Sequence, residues 1–168
     1  IALCRRAGFK DILLRGDTDF TQTRHLDRWD ADGVCFVFGY DANQPIKRRA
    51  GNLDAAQYSE LMRRVKQVFV DVDRRRTRPE RVKEQFVKSK GYKNIVLKSE
   101  DIAELEHRPN ACEKAYRIVV LRKNISIEQG ETPLIDDVRY FFYITNDRSM
   151  SAAEVVFAEY GGPGDLAP

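Results

Sequence analysis

Between Asp32 and Asp41 the chain carries Gly33-Val34-Cys35-Phe36-Val37-Phe38-Gly39-Tyr40, the longest stretch of its 168 residues without a charged or strongly polar side chain. The apolar run Val34 to Phe38 shows no alternation, so it reads as a short strand covered on both faces, as in a parallel sheet. A second run of this kind, Ile12-Leu13-Leu14, lies within Asp11 to Arg15 and also predicts a buried strand. Ala2 to Ala7, closed by Gly8, reads as the end of a helix. Thr21 to Trp29 reads as another, with Leu26 and Trp29 on one face and Arg24 and Arg28 on another. Gly33 ends it. Helix, strand, helix, strand is α/β architecture. The same stretch is far shorter than the roughly 20 residues a membrane-spanning helix needs, which excludes such a span.

From Asp41 the periodicity weakens. The pattern predicts a helix from Leu53 to about Arg64 and another from Pro79 to Lys90, with Gly91 just past its end. Strands follow at Asn94 to Lys98, Ile102 to Glu106, Tyr116 to Arg122 and Val138 to Thr145, with turns at Arg108-Pro109-Asn110 and Gln129-Gly130. That succession predicts an antiparallel, β-rich subdomain. Ser151 with Glu154 makes a capping box, so a last helix should run from Ser151 to Tyr160 and break at Gly161-Gly162-Pro163-Gly164.

Charged residues are 33% of the chain, above the roughly 25% of an average globular protein, and the net charge is +3. Its distribution is uneven. From Arg63 to Lys83 nine basic residues face three acidic ones, a surplus of six in one segment. Arg74, Arg75, Arg76, Arg78 and Arg81 form its densest part, suited to neutralising phosphates with salt-dependent affinity. The same residues could equally make a solvated charged face. Cys4, Cys35 and Cys112 are odd in number and widely separated, which matches neither a zinc site nor a redox pair. His25 and His107 have no cysteine or carboxylate at ligand spacing, so surface or capping roles are expected. Tyr116, Tyr140 and Tyr143 are expected to pack in the sheet rather than stack on bases. The chain opens with no charged leader followed by an apolar run, and the expected location is the cytoplasm. It begins at Ile1, not Met, which suggests a fragment, and its last eight residues read as an unstructured tail.

The sharpest chemical candidate is Arg15-Gly16-Asp17-Thr18-Asp19-Phe20, which sets carboxylates at the C-terminal end of a buried strand, where α/β sheets hold their sites. Carboxylates there can bind Mg²⁺ through oxygen and serve phosphodiester chemistry, as in a nuclease using Asp17, Asp19 and a further acid. They can also simply accept backbone amides in a turn.

Arg15 to Phe20, then His25-Leu26-Asp27-Arg28-Trp29, then Gly33 to Ala42 together resemble the second-aspartate region of insertion-sequence DDE transposases, whose core is RNase H-like. Gly91-Tyr92-Lys93-Asn94-Ile95, Tyr116-Arg117, Val119-Val120, Arg122-Lys123-Asn124 and Asp136 to Arg148 extend the similarity, which runs from about Ala2 to Phe157. The resemblance implies a partial RNase H-like α/β core over residues 1–40 and a β-rich α+β insertion domain over 41–137. It further implies a return strand and helix start over 138–160, and a disordered tail over 161–168. It implies that Asp17 is the second metal-binding acid, with Mg²⁺ or Mn²⁺ as cofactor in the intact family and weak metal binding by this chain, and with transposon-end and target DNA as partners. A dimer in the full synaptic complex and association with the bacterial nucleoid follow from it too. Members of the family use three acids and divalent metal to nick the transposon end and then join its 3′-hydroxyl to target DNA. By that pattern the first acid falls upstream of Ile1 and the place of the third near Leu166; Glu159 and Asp165 do not fit it. The chain by itself is therefore expected neither to cleave nor to join DNA. The other reading is a non-catalytic nucleic-acid-binding module that uses the Arg74 to Arg81 cluster and needs no metal.

Overall fold

The computed structural model describes residues 1–61, 82–130 and 132–160. In chain order its elements are α1 (Ala2–Arg6), β1 (Leu13–Gly16), α2 (Leu26–Ala31), β2 (Cys35–Tyr40), α3 (Gln44–Gly51) and β3 (Ser59–Glu60), followed by α4 (Val82–Ser89), β4 (Lys93–His107), β5 (Tyr116–Gln129), β6 (Thr132–Thr145) and α5 (Ala152–Tyr160). The strands form one mixed sheet in the order β1-β2-β6-β5-β4-β3. β1 and β2 are parallel, with Leu14 opposite Phe36 and Gly16 opposite Phe38. β2 and β6 are antiparallel, with Val37 opposite Thr145 and Tyr40 opposite Phe142. Among the described residues no helix is long and apolar enough to cross a membrane.

The α/β expectation for the first forty residues holds at the level of elements. β2 is buried along its middle, from Phe36 to Gly39, as an uninterrupted apolar strand should be. Phe36 and Phe38 stack with ring centroids 5.7 Å apart, and Tyr116 meets Phe36 edge-on at 5.4 Å. Leu26, Ile46, Ile118, Val120 and Ile144 complete this core. On α5, which contacts both β1 and β2, Val155 and Val156 are fully buried. β1 differs from expectation: its burial alternates, and Leu13 keeps 43% of its surface exposed. β1 ends the sheet on that side, and only Leu14 of its run packs against the core.

The helix expected from Leu53 is absent over its described part. Instead a 3-10 turn at Ala55–Gln57, held by a capping box between Asp54 and Gln57, leads into β3. The helix forms earlier, as α3, because Asn43 caps it and Pro45 pre-sets its first turn. The expected strand pairs 94–98 and 102–106 are one continuous strand, β4. β5 and β6 are each 14 residues, turned at Gly130, which has φ of 62°. A two-residue connection between neighbouring strands requires them to be antiparallel.

Two compact units divide the chain. The first comprises Ile1–Tyr58, Ile102–Leu121 and the described residues from Tyr140 on. The second comprises the described parts of Ser59–Asp101 and Arg122–Arg139. In the second, Glu100 is buried and pairs with Lys123 at 3.4 Å, while Asp101 accepts from Arg122 and Asn124 at 3.0 and 2.8 Å.

Within the first unit two polar side chains fasten the loops, the half-buried Asn146 and the buried Arg117. Asn146 accepts from Phe36 N at 2.9 Å and donates to Asp30 and to Val34 O at 2.9 and 3.0 Å. Arg117, only 6% exposed, grips both oxygens of Glu104 at 2.7 and 2.8 Å and donates to the carbonyls of Asp147 and Met150 at 3.2 and 2.6 Å. It thereby fixes the turn that launches α5. There the Ser151–Glu154 box forms as the sequence predicts, with Ser151 N on the Glu154 carboxylate at 2.7 Å and Glu154 N on Ser151 Oγ at 3.2 Å.

Candidate functional site

Gly16 closes β1 under steric constraint. A Cβ there would sit 2.7 Å from Phe20 Cβ and 3.3 Å from the Phe38 ring, so only glycine lets the 3-10 turn Thr18–Phe20 fold back on the strand. Asp17 is the hinge of that turn. Its Oδ1 accepts from Asp19 N at 3.1 Å, the amide-accepting role open to any aspartate at a turn. Asp17 and Asp19 are both exposed. Thr21 ties the turn to the neighbouring strand, its hydroxyl donating to Gly39 O, and lies 3.4 Å from Asp17 O. Asp17 therefore stands just beyond the C-terminal end of β1, beside the C-terminal end of its parallel neighbour.

A cleft of about 410 Å³ opens on this edge of the first unit, lined by Thr21, Thr23, Tyr40, Asp41, Asn43 and His107 among others. Two of its lining side chains, Tyr40 and His107, form a chain with Arg49. Tyr40 Oη lies 3.0 Å from His107 Nε2, and His107 Nδ1 lies 3.3 Å from the Arg49 guanidinium, which also donates to Glu106 O at 2.6 Å. Burial, then the Arg49 charge, holds His107 below its ordinary value of 6.5, and burial raises the Tyr40 hydroxyl above its own. Cys112, buried, donates to the carbonyl of the lining residue Thr23 at 3.2 Å, its thiol pushed up to about 11 by burial. That value makes it an inert structural thiol.

Asp17 and Asp19 come together with no third acid, for among the described residues no group of three histidines, cysteines or carboxylates could hold a metal ion. One exposed carboxylate, already engaged at one oxygen, fits a divalent ion only as part of a larger ligand set. Glu159 falls in the last turn of α5, whose neighbour Ala158 accepts a hydrogen bond from Arg15. Arg74, Arg75, Arg76, Arg78 and Arg81 lie outside the described residues. Tyr116 and Tyr143 are buried, and Tyr140 stacks on Phe142 at 6.4 Å. Tyr116 is bonded instead to Asp27, at 2.6 Å, and this hydrogen bond holds the Asp27 carboxyl below its usual range.

Nothing matches this chain among family models, curated proteins or solved structures.

The Tyr40–His107–Arg49 chain has no linear signal in the sequence. Tyr40 and His107 are 67 positions apart, Arg49 and His107 58. The one usable cue is that Tyr40 and His107 each end a strand, which is where an α/β sheet gathers its functional side chains.

Proposed function

We propose that this chain is part of a DDE-type DNA transposase, with Asp17 as one metal-binding acid of an RNase H-like core and DNA as the substrate. One observation carries the proposal: Asp17 leaves the C-terminal end of β1, which runs parallel to β2, while α5 packs on both strands after a long excursion through β4, β5 and β6. The order of strand pair, inserted β-rich stretch and returning helix agrees with the sequence resemblance. Mg²⁺ or Mn²⁺ would supply the phosphodiester chemistry in the intact protein. The residues of this chain would contribute one carboxylate and hold DNA, so it cleaves none alone.

The second reading, a nucleic-acid-binding module without metal, is favoured by the surplus of six charges between Arg63 and Lys83. A single experiment separates the two. In the ¹⁵N-labelled chain, substoichiometric Mn²⁺ should broaden the amides of residues 16–19, and Asp17→Asn should abolish that broadening. DNA affinity, read by fluorescence anisotropy, should survive the same substitution. Broadening that ignores Asp17→Asn removes the metal role; DNA binding without it leaves the module.

A further inference from the structure

Which atoms of the Tyr40–His107–Arg49 chain carry protons follows from elementary rules. A guanidinium has donors only, so the Arg49 contact at 3.3 Å makes His107 Nδ1 the acceptor. The ring proton then sits on Nε2 and is given to Tyr40 Oη at 3.0 Å. A neutral imidazole is what burial beside a cation favours. Tyr40 is left with its own hydroxyl proton, for which no acceptor exists among the described residues, and it lines the cleft. Asn43 arrives in a similar state. Its Oδ1 is occupied by Ile46 N at 3.1 Å, which leaves its amide hydrogens unused among the described residues.

We propose that the cleft is a seat for one phosphate of a DNA backbone, held by neutral donors, the Tyr40 hydroxyl first and the Asn43 amide second. The proposal rests on the DNA-substrate reading above and adds a site to it. Tyrosine, asparagine and threonine are among the side chains that hold phosphate oxygens and fix the register of a duplex, and all three line this cleft. His107 locks the Tyr40 hydroxyl in place, so little rotamer freedom is lost on binding. Asp41 on the rim has the opposite effect. Its carboxylate repels a free anion, so a phosphate is retained only when the rest of a polyanion is held elsewhere on the protein.

The test measures the affinity of the full chain for a labelled short duplex across a series of salt concentrations. Tyr40→Phe, which keeps the ring and removes the hydroxyl, both the donor to phosphate and the acceptor of the His107 proton, should weaken binding roughly tenfold. Asp41→Asn, an exposed substitution that leaves the core alone, should strengthen it several-fold. Neither should change the slope of log affinity against log salt, because that slope counts cationic contacts. Inorganic phosphate alone should leave the amides of residues 40–46 unshifted in ¹⁵N spectra.

Wild-type affinity retained in Tyr40→Phe, or no gain in Asp41→Asn, overturns the proposal while leaving the DNA reading intact. Shifts of residues 40–46 with inorganic phosphate would make this a free-anion site and also overturn it. A wild-type chain that binds no duplex takes down the DNA reading, and the seat with it.

Discussion

At the residue scale the side chains with the most specific roles are those whose partners lie far off in sequence. His107 joins the ends of β2 and β4 only because Tyr40 and Arg49 are brought to it, and Arg117 finds two carbonyls 30 and 33 positions away. Such partnerships leave no periodic trace, so sequence assigns His107 a surface or capping role. Asp17 was legible because Gly16-Asp17 breaks an apolar run, a local event. The same locality explains why its bonding to Asp19 N fits an ordinary turn as well as a site. His107 also makes stability depend on pH in a defined direction. Its folded pKa lies below the ordinary 6.5, so the folded state prefers the neutral ring. The stabilisation is fully present above about pH 6.5 and is lost as pH falls towards the folded value, where the unfolded chain takes up the proton first. Urea midpoints measured between pH 7.5 and 5 should fall, and His107→Gln should flatten that part of the curve.

At the element scale β2 was legible because it is wholly apolar, and α2 because Leu26 and Trp29 both pack on the core. α3 was not, since only Ile46 and Ala50 of its eight residues are buried, with Lys47, Arg48 and Arg49 between them. Its true signal was the Asn43 cap followed by Pro45, which the weak apolar period hid. The outer length of β6 was missed for a related reason: Thr132 to Arg139 is exposed residue by residue, so no alternation marks it as strand. The join between β1 and its 3-10 turn yields a sharp expectation. Gly16→Ala would place a methyl 2.7 Å from Phe20 Cβ, a clash that neither backbone can relieve without moving the turn. It should cost about 1–3 kcal/mol in a thermal or urea melt and shift the amide resonances of residues 17–20. Unchanged stability would mean that the turn is looser than its geometry indicates.

At the scale of the whole molecule, charge is divided as unevenly as in the sequence. The segment from Arg63 to Lys83 exceeds the entire net charge, so the remainder of the chain is net negative, at −3. Any long-range attraction to a polyanion must therefore come from that segment, with the rest of the surface opposing it. Replacing Arg74, Arg75 and Arg76 together by alanine should flatten the salt dependence of duplex binding by up to about 0.9 log unit for each phosphate that is no longer neutralised. A slope that does not change would place the electrostatic attraction elsewhere.

The chain passes between its two units four times, after Tyr58, Asp101, Leu121 and Arg139. A stop codon or recombination breakpoint anywhere in that interval truncates both units at once. The shortest stretch of gene that can be duplicated, swapped or inherited and still encode the second unit must carry residues 102–121 of the first along with it. The two units are thus inseparable as heritable modules.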